Sequence, residues 1–390
     1  LTNEGAKTMQ AHMKLQDLVD RVINESKQKR DFVTSTKDNI RMVQLPTLVD
    51  NTDAKLNLGI VLLRDGETQL ERFGITDNAH GQIATRLGIP KKYYDRLLVD
   101  HPDMVMQQVN QLFEREPASR MIRVLNGNVR AFLSDRYRAL DNDDVLAHTL
   151  PTIFGEDGDT TFETEVLGGN VTENHMNLKV LFTDDEMGRE ITRNTRTGAP
   201  RIIKPGFRLT NSETGNGALK FEAFFFDSYC TNGCVFGVQN LFSFSRNHLG
   251  SKLIEGTDFQ IVSNETRELQ DQTIVAEIRD GIKAMASPAF VDEMAEKLRA
   301  AANTAPVLNP SAAVDLAVEE LNLREGERES ILETFLQDGD YSKWGLASAV
   351  TSVANNAEVA TLERVNELED IGAQILNLSM AKWNNYAVAA

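Results

Sequence analysis

Two cysteines in 390 residues cannot build a disulfide scaffold, which agrees with a reducing compartment. No run of eighteen apolar residues occurs, so no membrane-spanning helix and no membrane partner are expected. The first residues, Leu1-Thr2-Asn3-Glu4-Gly5, lack the basic-then-apolar pattern of a secretory signal. The chain therefore reads as cytoplasmic, and the sequons at Asn170, Asn264 and Asn377 read as chance matches. Catalytic templates are missing too: there is no phosphate loop of the Gly-x4-Gly-Lys-Ser/Thr kind, no His-Glu-x2-His helix and no Gly-x-Ser-x-Gly elbow. The six histidines show no metal-ligand spacing, and Cys230 and Cys234 with His248 fall short of the four ligands a zinc site needs. These absences lean against an enzyme, leave catalytic residues unknown and name neither metal nor cofactor.

What is present is globular. Apolar residues make up 41% and charged ones 25%, with 41 Lys+Arg against 58 Asp+Glu for a net charge of −17. That composition forms a packed core and excludes wholesale disorder. The acidic excess is uneven, since residues 301 to 390 hold 14 acidic and 5 basic side chains, a net of −9. The same quarter has helical periodicity: Leu362, Val365, Leu368, Ile371 and Ile375 share one face, opposite Glu363, Arg364, Glu367 and Asp370. Similar stripes recur from residue 269 onward, separated by Asn-Pro and Gly breaks. Residues 40 to 260 instead read as short strands with a few helices. The expected fold class is α+β, with an antiparallel β-rich domain over 32–261, an all-helical acidic domain over 262–390, and residues 1–31 as a helical or flexible arm.

The strongest local signal is Asn126-Gly127 between alternating apolar residues, the turn chemistry of a two-residue hairpin. That turn places Arg123 opposite Arg130, with Phe132 on the arginine face and Ile122, Val124, Val129, Ala131 and Leu133 on the buried one. Like charges facing across a ladder are destabilising, so this register calls for a nearby anion, a carboxylate or a phosphate. Residues 120 to 138 carry five arginines and only Asp135, a net of +4.

The stretch from Arg123 through Arg138, followed by Leu140-Asp141-Asn142, resembles the signature of the phage and plasmid domain-of-unknown-function family numbered 932. Matching pieces are Gly88-Ile89-Pro90-Lys91-Lys92-Tyr93-Tyr94, Asn211-Ser212-Glu213-Thr214-Gly215, Cys230-Thr231-Asn232-Gly233 and Trp344-Gly345-Leu346 with Ala349-Val350-Thr351. Together they cover roughly residues 70 to 355. The resemblance implies a mobile-element protein and supplies no chemistry.

Two basic clusters carry the functional expectation. One is the hairpin strip, with Arg123, Arg130, Arg136 and Arg138 following a nucleic-acid backbone and Phe132 or Tyr137 as a stacking platform. The other is a loop-like segment from Met187 to Arg208 with a net of +5, from which Arg193, Arg196, Arg201 and Lys204 are expected to grip phosphate. The competing reading for both is internal pairing or an ordinary solvated surface, with Asp143, Asp144 or a C-terminal glutamate as partners of the hairpin arginines. The acidic run Asp141-Asn142-Asp143-Asp144 reads as helix capping in preference to a cation site. Eight aromatics between Phe221 and Phe244 point to a core or an oligomer contact, and with the charge asymmetry suggest a homo-oligomer. The expectation is a non-catalytic single-stranded DNA binding or annealing protein. The alternative is a virion or host-defence-blocking interaction protein acting through its acidic helices.

Overall fold

The computed structural model describes residues 13–44, 56–64, 67–137, 140–155, 163–227, 234–237, 243–246, 264–355 and 362–389. The chain begins with α1 (Leu15–Ser26). It then forms β1 (Arg30–Ser35), α2 (Thr36–Asn39), β2 (Ile40–Gln44), β3 (Leu56–Arg64), β4 (Glu67–Ile75), α3 (Asp77–Arg86), α4 (Lys91–Asp100), α5 (Pro102–Arg115), β5 (Ser119–Leu125) and β6 (Asn128–Ser134). These six strands make one sheet in the order β1-β5-β6-β4-β3-β2. All pairs are antiparallel except β4 with β6, where Gly74 and Ile75 face Asn128 and Val129 in parallel.

After α6 (Asn142–Ile153) a second sheet begins, with β7 (Thr164–Val171), β8 (Met176–Phe182), β9 (Arg189–Arg193), β10 (Pro200–Asn211), β11 (Leu219–Asp227), β12 (Cys234–Gly237) and β13 (Ser243–Arg246). Its order is β12-β11-β10-β8-β7, with β13 also on β11 and β9 on β10. Helices follow: α7 (Asn264–Met285), α8 (Pro288–Ala302), α9 (Pro310–Glu320), α10 (Arg328–Asp338), α11 (Lys343–Ser352), α12 (Leu362–Leu376) and α13 (Met380–Ala387). The α+β class is as expected. The strands form two sheets where one continuous sheet was expected, with α6 falling between them in the chain. None of the helices is long and apolar enough to cross a membrane among the described residues.

Local chemistry sets the boundaries. The hydroxyls of Thr76, Ser287, Ser342 and Ser379 each accept a backbone N–H in the first turn of α3, α8, α11 and α13. They satisfy donors that a helix start leaves unpaired. The side chain of Asn309 does the same for α9, which like α8 starts on a proline. Gly339, at φ 64°, ends α10. Asn126 and Gly127 both have positive φ, 51° and 74°, as the expected hairpin turn requires.

The cores divide the chain differently from the sequence. One core lies between the first sheet and α3 to α5, and contains Phe73, Ile83, Val109, Phe113, Ile122, Val124, Val129 and Phe132. The other joins Leu178, Val180, Phe207, Phe221 and Phe225 of the second sheet to Ile282, Trp344, Leu368 and Trp383 of the helices. The change from the strands of the second sheet to the helices that begin with α7 thus falls inside one shared core. Leu18 and Val22 of α1 are buried in that core as well, so α1 is docked and is not a detached arm. Phe224 and Phe225 are buried within the chain itself, which accounts for the apolar strand that suggested self-association.

Candidate functional site

The loop after β10 is polar in sequence yet buried. Asn211, Ser212, Glu213 and Thr214 are all at most 2% exposed, so their polar groups need internal partners. Gly215 turns the chain at φ +78°, where a Cβ would strike Leu133. Gln82 of α3 donates to the Thr214 carbonyl at 2.7 Å, Tyr137 to the Ser212 carbonyl at 3.1 Å, and Asn211 to the Leu140 carbonyl at 2.8 Å. The loop therefore ties the first sheet and its helices to the second.

At its centre is an ion network. Glu213 accepts from Arg130 Nη1 on Oε2, and from Lys29 Nζ and the Asn142 backbone N–H on Oε1, each at 2.6 Å. Arg123, fully buried, donates Nε to Asp31 at 3.1 Å, Nη2 to Asp141 at 2.6 Å and Nη1 to the Glu213 carbonyl at 2.9 Å. Lys29 Nζ also reaches Asp143 at 2.8 Å and Asp141 at 3.5 Å. Burial pushes the Glu213 carboxyl up, but Arg130, Lys29 and the Asn142 N–H outweigh it and bring it down to about 2. Burial alone draws the Lys29 ammonium down, and the charges of Glu213 and Asp141 leave it raised. Asp141 stands at the N-cap of α6 without capping it through its side chain; the Glu213 carboxylate takes the Asn142 N–H instead.

Hairpin register explains how the arginines reach this network. The ladder pairs Val124 with Val129 but Arg123 with Ala131 and Ile122 with Phe132, so a bulge falls at Arg130. The extra residue reverses the facing of everything after it. Arg123 and Arg130 are therefore not directly opposed as the unbroken register predicts. Phe132 turns into the first core, stacked on Phe113 at 5.7 Å, and is no base platform. Tyr137 is tied to Ser212, and burial pushes its hydroxyl up to about 12.

The other sequence-predicted residues also find partners. Arg201, buried, pairs with Asp227, donates to Ser348 Oγ at 3.2 Å and lies 5.3 Å from the Trp344 ring. Lys204 donates to the Thr183 carbonyl at 2.6 Å, and exposed Arg193 pairs with Glu190 at 2.9 Å. Arg196 is exposed in a turn whose backbone is held by Asn194 Oδ1. Arg138 lies outside the described residues. In the same cluster Arg208 meets Glu222 and Asp370, and the neighbouring β8 residue Lys179 meets Glu369 at 2.5 Å, both within the covered second sheet.

At the rim of the first sheet, cationic side chains are left without ion pairs among the described residues. Arg120 opens β5, and its Nε is buried with no acceptor. Burial and the charge of Arg86 at the end of α3 both draw its guanidinium down, with Asp135 opposing them. Among the described residues, neither Arg86 nor the side chain of Arg136 has an ion pair, and both are half-buried. Sequence reading counted Arg120 within its basic window but missed Arg86, which lies on another element, 34 positions away. No family model, curated protein or solved structure matches this chain.

Proposed function

We propose that the chain is a non-catalytic, cytoplasmic protein of mobile-element DNA metabolism that holds single-stranded nucleic acid by its phosphates along the rim of the first sheet. The observation carrying this reading is that Arg120 Nε is buried with no acceptor, in a guanidinium that feels the charges of Arg86 and Asp135. A guanidinium donor left without an acceptor favours an anion, and a phosphate supplies both the charge and the acceptor geometry. Charge distribution supports the same place. Residues 30 to 137 hold 15 basic and 14 acidic side chains, a net of +1, so the rest of the chain carries −18. Phosphate approaching the first sheet meets the least repulsion. Arg136 extends the strip, whereas Arg123, Arg130 and Arg201 serve the interior.

The test is a titration of an oligo-dT strand by fluorescence anisotropy between about 50 and 200 mM salt. Affinity is expected to fall with salt, and Arg86→Ala/Arg120→Ala to flatten the logarithmic salt slope by about 1.4, the contribution of two single-strand phosphate contacts. Arg196→Ala, on the second sheet, is expected to leave the slope unchanged. Absence of binding at about 50 mM salt sinks the reading in favour of an interaction protein.

A further inference from the structure

A strand at the edge of a sheet carries N–H and C=O groups that can template pairing with another strand. Several edges of the two sheets are sealed. Asn110 of α5 accepts from the Met42 N–H at 2.8 Å and donates to the Met42 carbonyl at 2.9 Å, which closes β2. Where β6 runs past β4, Gln82 of α3 accepts from the Phe132 N–H at 2.7 Å and Asn78 donates to the Arg130 carbonyl at 2.8 Å. Met13 exchanges both backbone bonds with Gly169 of β7, and Arg299 donates to the Glu190 carbonyl on β9.

β1 differs from these. It is an end strand of the first sheet, and its ladder with β5 fixes which groups face outward. The Thr36 N–H donates to the Ala118 carbonyl at 2.9 Å, in line with the register that pairs Arg30 with Val124 and Thr34 with Arg120. Bonded and non-bonded positions alternate along an antiparallel pair, so Arg30, Phe32 and Thr34 turn their backbone groups to β5. Asp31, Val33 and Ser35 turn theirs away. Among the described residues, nothing pairs with the outward backbone groups of Asp31 and Val33. Both residues are exposed, Val33 by 59%. On the face of Val33 the ladder sets Met121 and then Leu133 beside it, an apolar row that ends at the open edge.

We propose that β1 pairs antiparallel with β1 of a second copy across a two-fold axis at Val33, joining the two first sheets edge to edge. Identical residues face each other at such an axis, and the order Arg30-Asp31-Phe32-Val33-Thr34-Ser35 decides where it falls. At Arg30 or Asp31 like charges are opposed, a destabilising contact. At Phe32 the Val33 side chain lies against the partner's Asp31. At Val33 two β-branched side chains meet, Asp31 faces the partner's Ser35, and Phe32 faces the partner's Thr34. The apolar row then runs on through the axis. This register also matches the outward groups: Val33 exchanges two bonds with the partner's Val33, and each Ser35 N–H reaches the carbonyl of the partner's Asp31. Five residues a side make a small contact, so the dimer is weak and concentration-dependent. The inference goes beyond nucleic-acid binding at the rim, and no nucleic acid is needed to test it.

Sedimentation of the full chain from about 1 to 100 µM, a range that spans a micromolar Kd, reads the association. The mass is expected to rise from 43.5 kDa towards twice that value. Val33→Lys opposes two ammonium groups at the axis and is expected to weaken the dimer roughly tenfold or more. Val33→Pro removes an N–H that β5 does not use, a change an edge strand accepts, and is expected to act in the same direction. Val33→Cys sets two thiols on a bonded pair whose Cα atoms lie about 5.5 Å apart, within disulfide reach. Oxidation is expected to link the copies, with wild type under the same oxidant as the control for Cys230 and Cys234. Circular dichroism checks the fold of each variant, and if neither the lysine nor the proline variant folds, Val33→Cys decides. The proposal is overturned if wild type stays a monomer at about 100 µM, an outcome that leaves the edge to an extended segment of a different protein. It is equally overturned if Val33→Lys and Val33→Pro dimerise as wild type does, or if Val33→Cys dimerises without forming the link.

Discussion

The two sheets enclose and pair cationic side chains alike in their interiors, Arg123 and Arg130 in the first and Lys179, Arg201 and Arg208 in the second, and differ at the margin of the first. β8 is buried at every position, so a basic residue in that layer must be neutralised from within. Lys179, Arg201 and Arg208 are matched by Glu369, Asp227, Glu222 and Asp370. In the first sheet β5 and β6 are buried at successive positions where Arg123 and Arg130 are paired, whereas β1 has no buried position, and Arg86, Arg120 and Arg136 stand at the margin. The difference follows from solvent access. A charge with water on one side needs no partner, whereas one enclosed by two layers requires a counter-charge. Basic residues in sequence therefore mark a basic surface only where the layer has a free face.

The largest test of that contrast is Glu213→Ala, which leaves Arg130 and Lys29 buried beside reduced negative charge. Urea denaturation is expected to show a loss of about 3–5 kcal/mol, the usual cost of breaking a buried pair from one side. A loss under about 0.5 kcal/mol, the range of an ordinary surface substitution, would mean the junction is not enclosed. Within the second sheet, Lys179→Met and Glu369→Leu should each destabilise by a few kcal/mol, and the double variant should return close to wild type, since apolar replacement of a whole buried pair is near neutral. A double-mutant cycle showing simple additivity would contradict the pairing.

Acid titration separates the regions further. In the first core His80, hydrogen-bonded to Tyr94 at 2.9 Å, is buried and its pKa is lowered to about 4 by that burial. The unfolded chain binds that proton first as pH falls, so stability should decline from about pH 6.5 to 4 by roughly 3 kcal/mol. Glu213 is ionised in the fold down to about 2. Its contribution is complete above the unfolded value near 4.5 and is lost as pH falls through 2. His80→Gln should flatten the first decline and Glu213→Gln the second, as read by denaturant midpoints at stepped pH. The smallest effect belongs to Arg196→Ala in its exposed turn, expected to change stability by less than about 0.5 kcal/mol.

Much of the local structure is legible in the sequence. The Asn126-Gly127 turn, the cap at Thr76, the span of β8 and the apolar stripe of α12 all follow from propensity and periodicity. β4 did not, because Glu67-Thr68-Gln69-Leu70-Glu71-Arg72 carries little apolar content and draws its order from neighbouring strands. The bulge at Arg130 left one trace: Phe132, the largest apolar side chain of β6, stood out of phase with Val129, and only an extra residue brings both into one core. The outer face of α12 misled more deeply. Arg364 and Glu369 look like solvent-facing residues of an amphipathic helix, yet they are 2% and 4% exposed. The partners that bury Glu369, Lys179 and Arg208, lie 190 and 161 positions away, beyond the reach of a local pattern. The same wiring makes residues 1 to 260 unsuitable as an isolated fragment, since their second sheet would lose the helices that complete its core.

The sequence separation inside the junction also has a consequence for biosynthesis. Glu213 lies 83 positions after Arg130 and 184 after Lys29. At about 5–20 residues per second, translation delivers Glu213 to the waiting Arg130 some 4–17 seconds later. During that interval the first sheet can assemble on the ribosome with Arg130 lacking this carboxylate, close to ribosomal RNA. Arg130 thus waits as a guanidinium without its carboxylate, able to cling to polyanions, until the loop that carries Glu213 has left the exit tunnel.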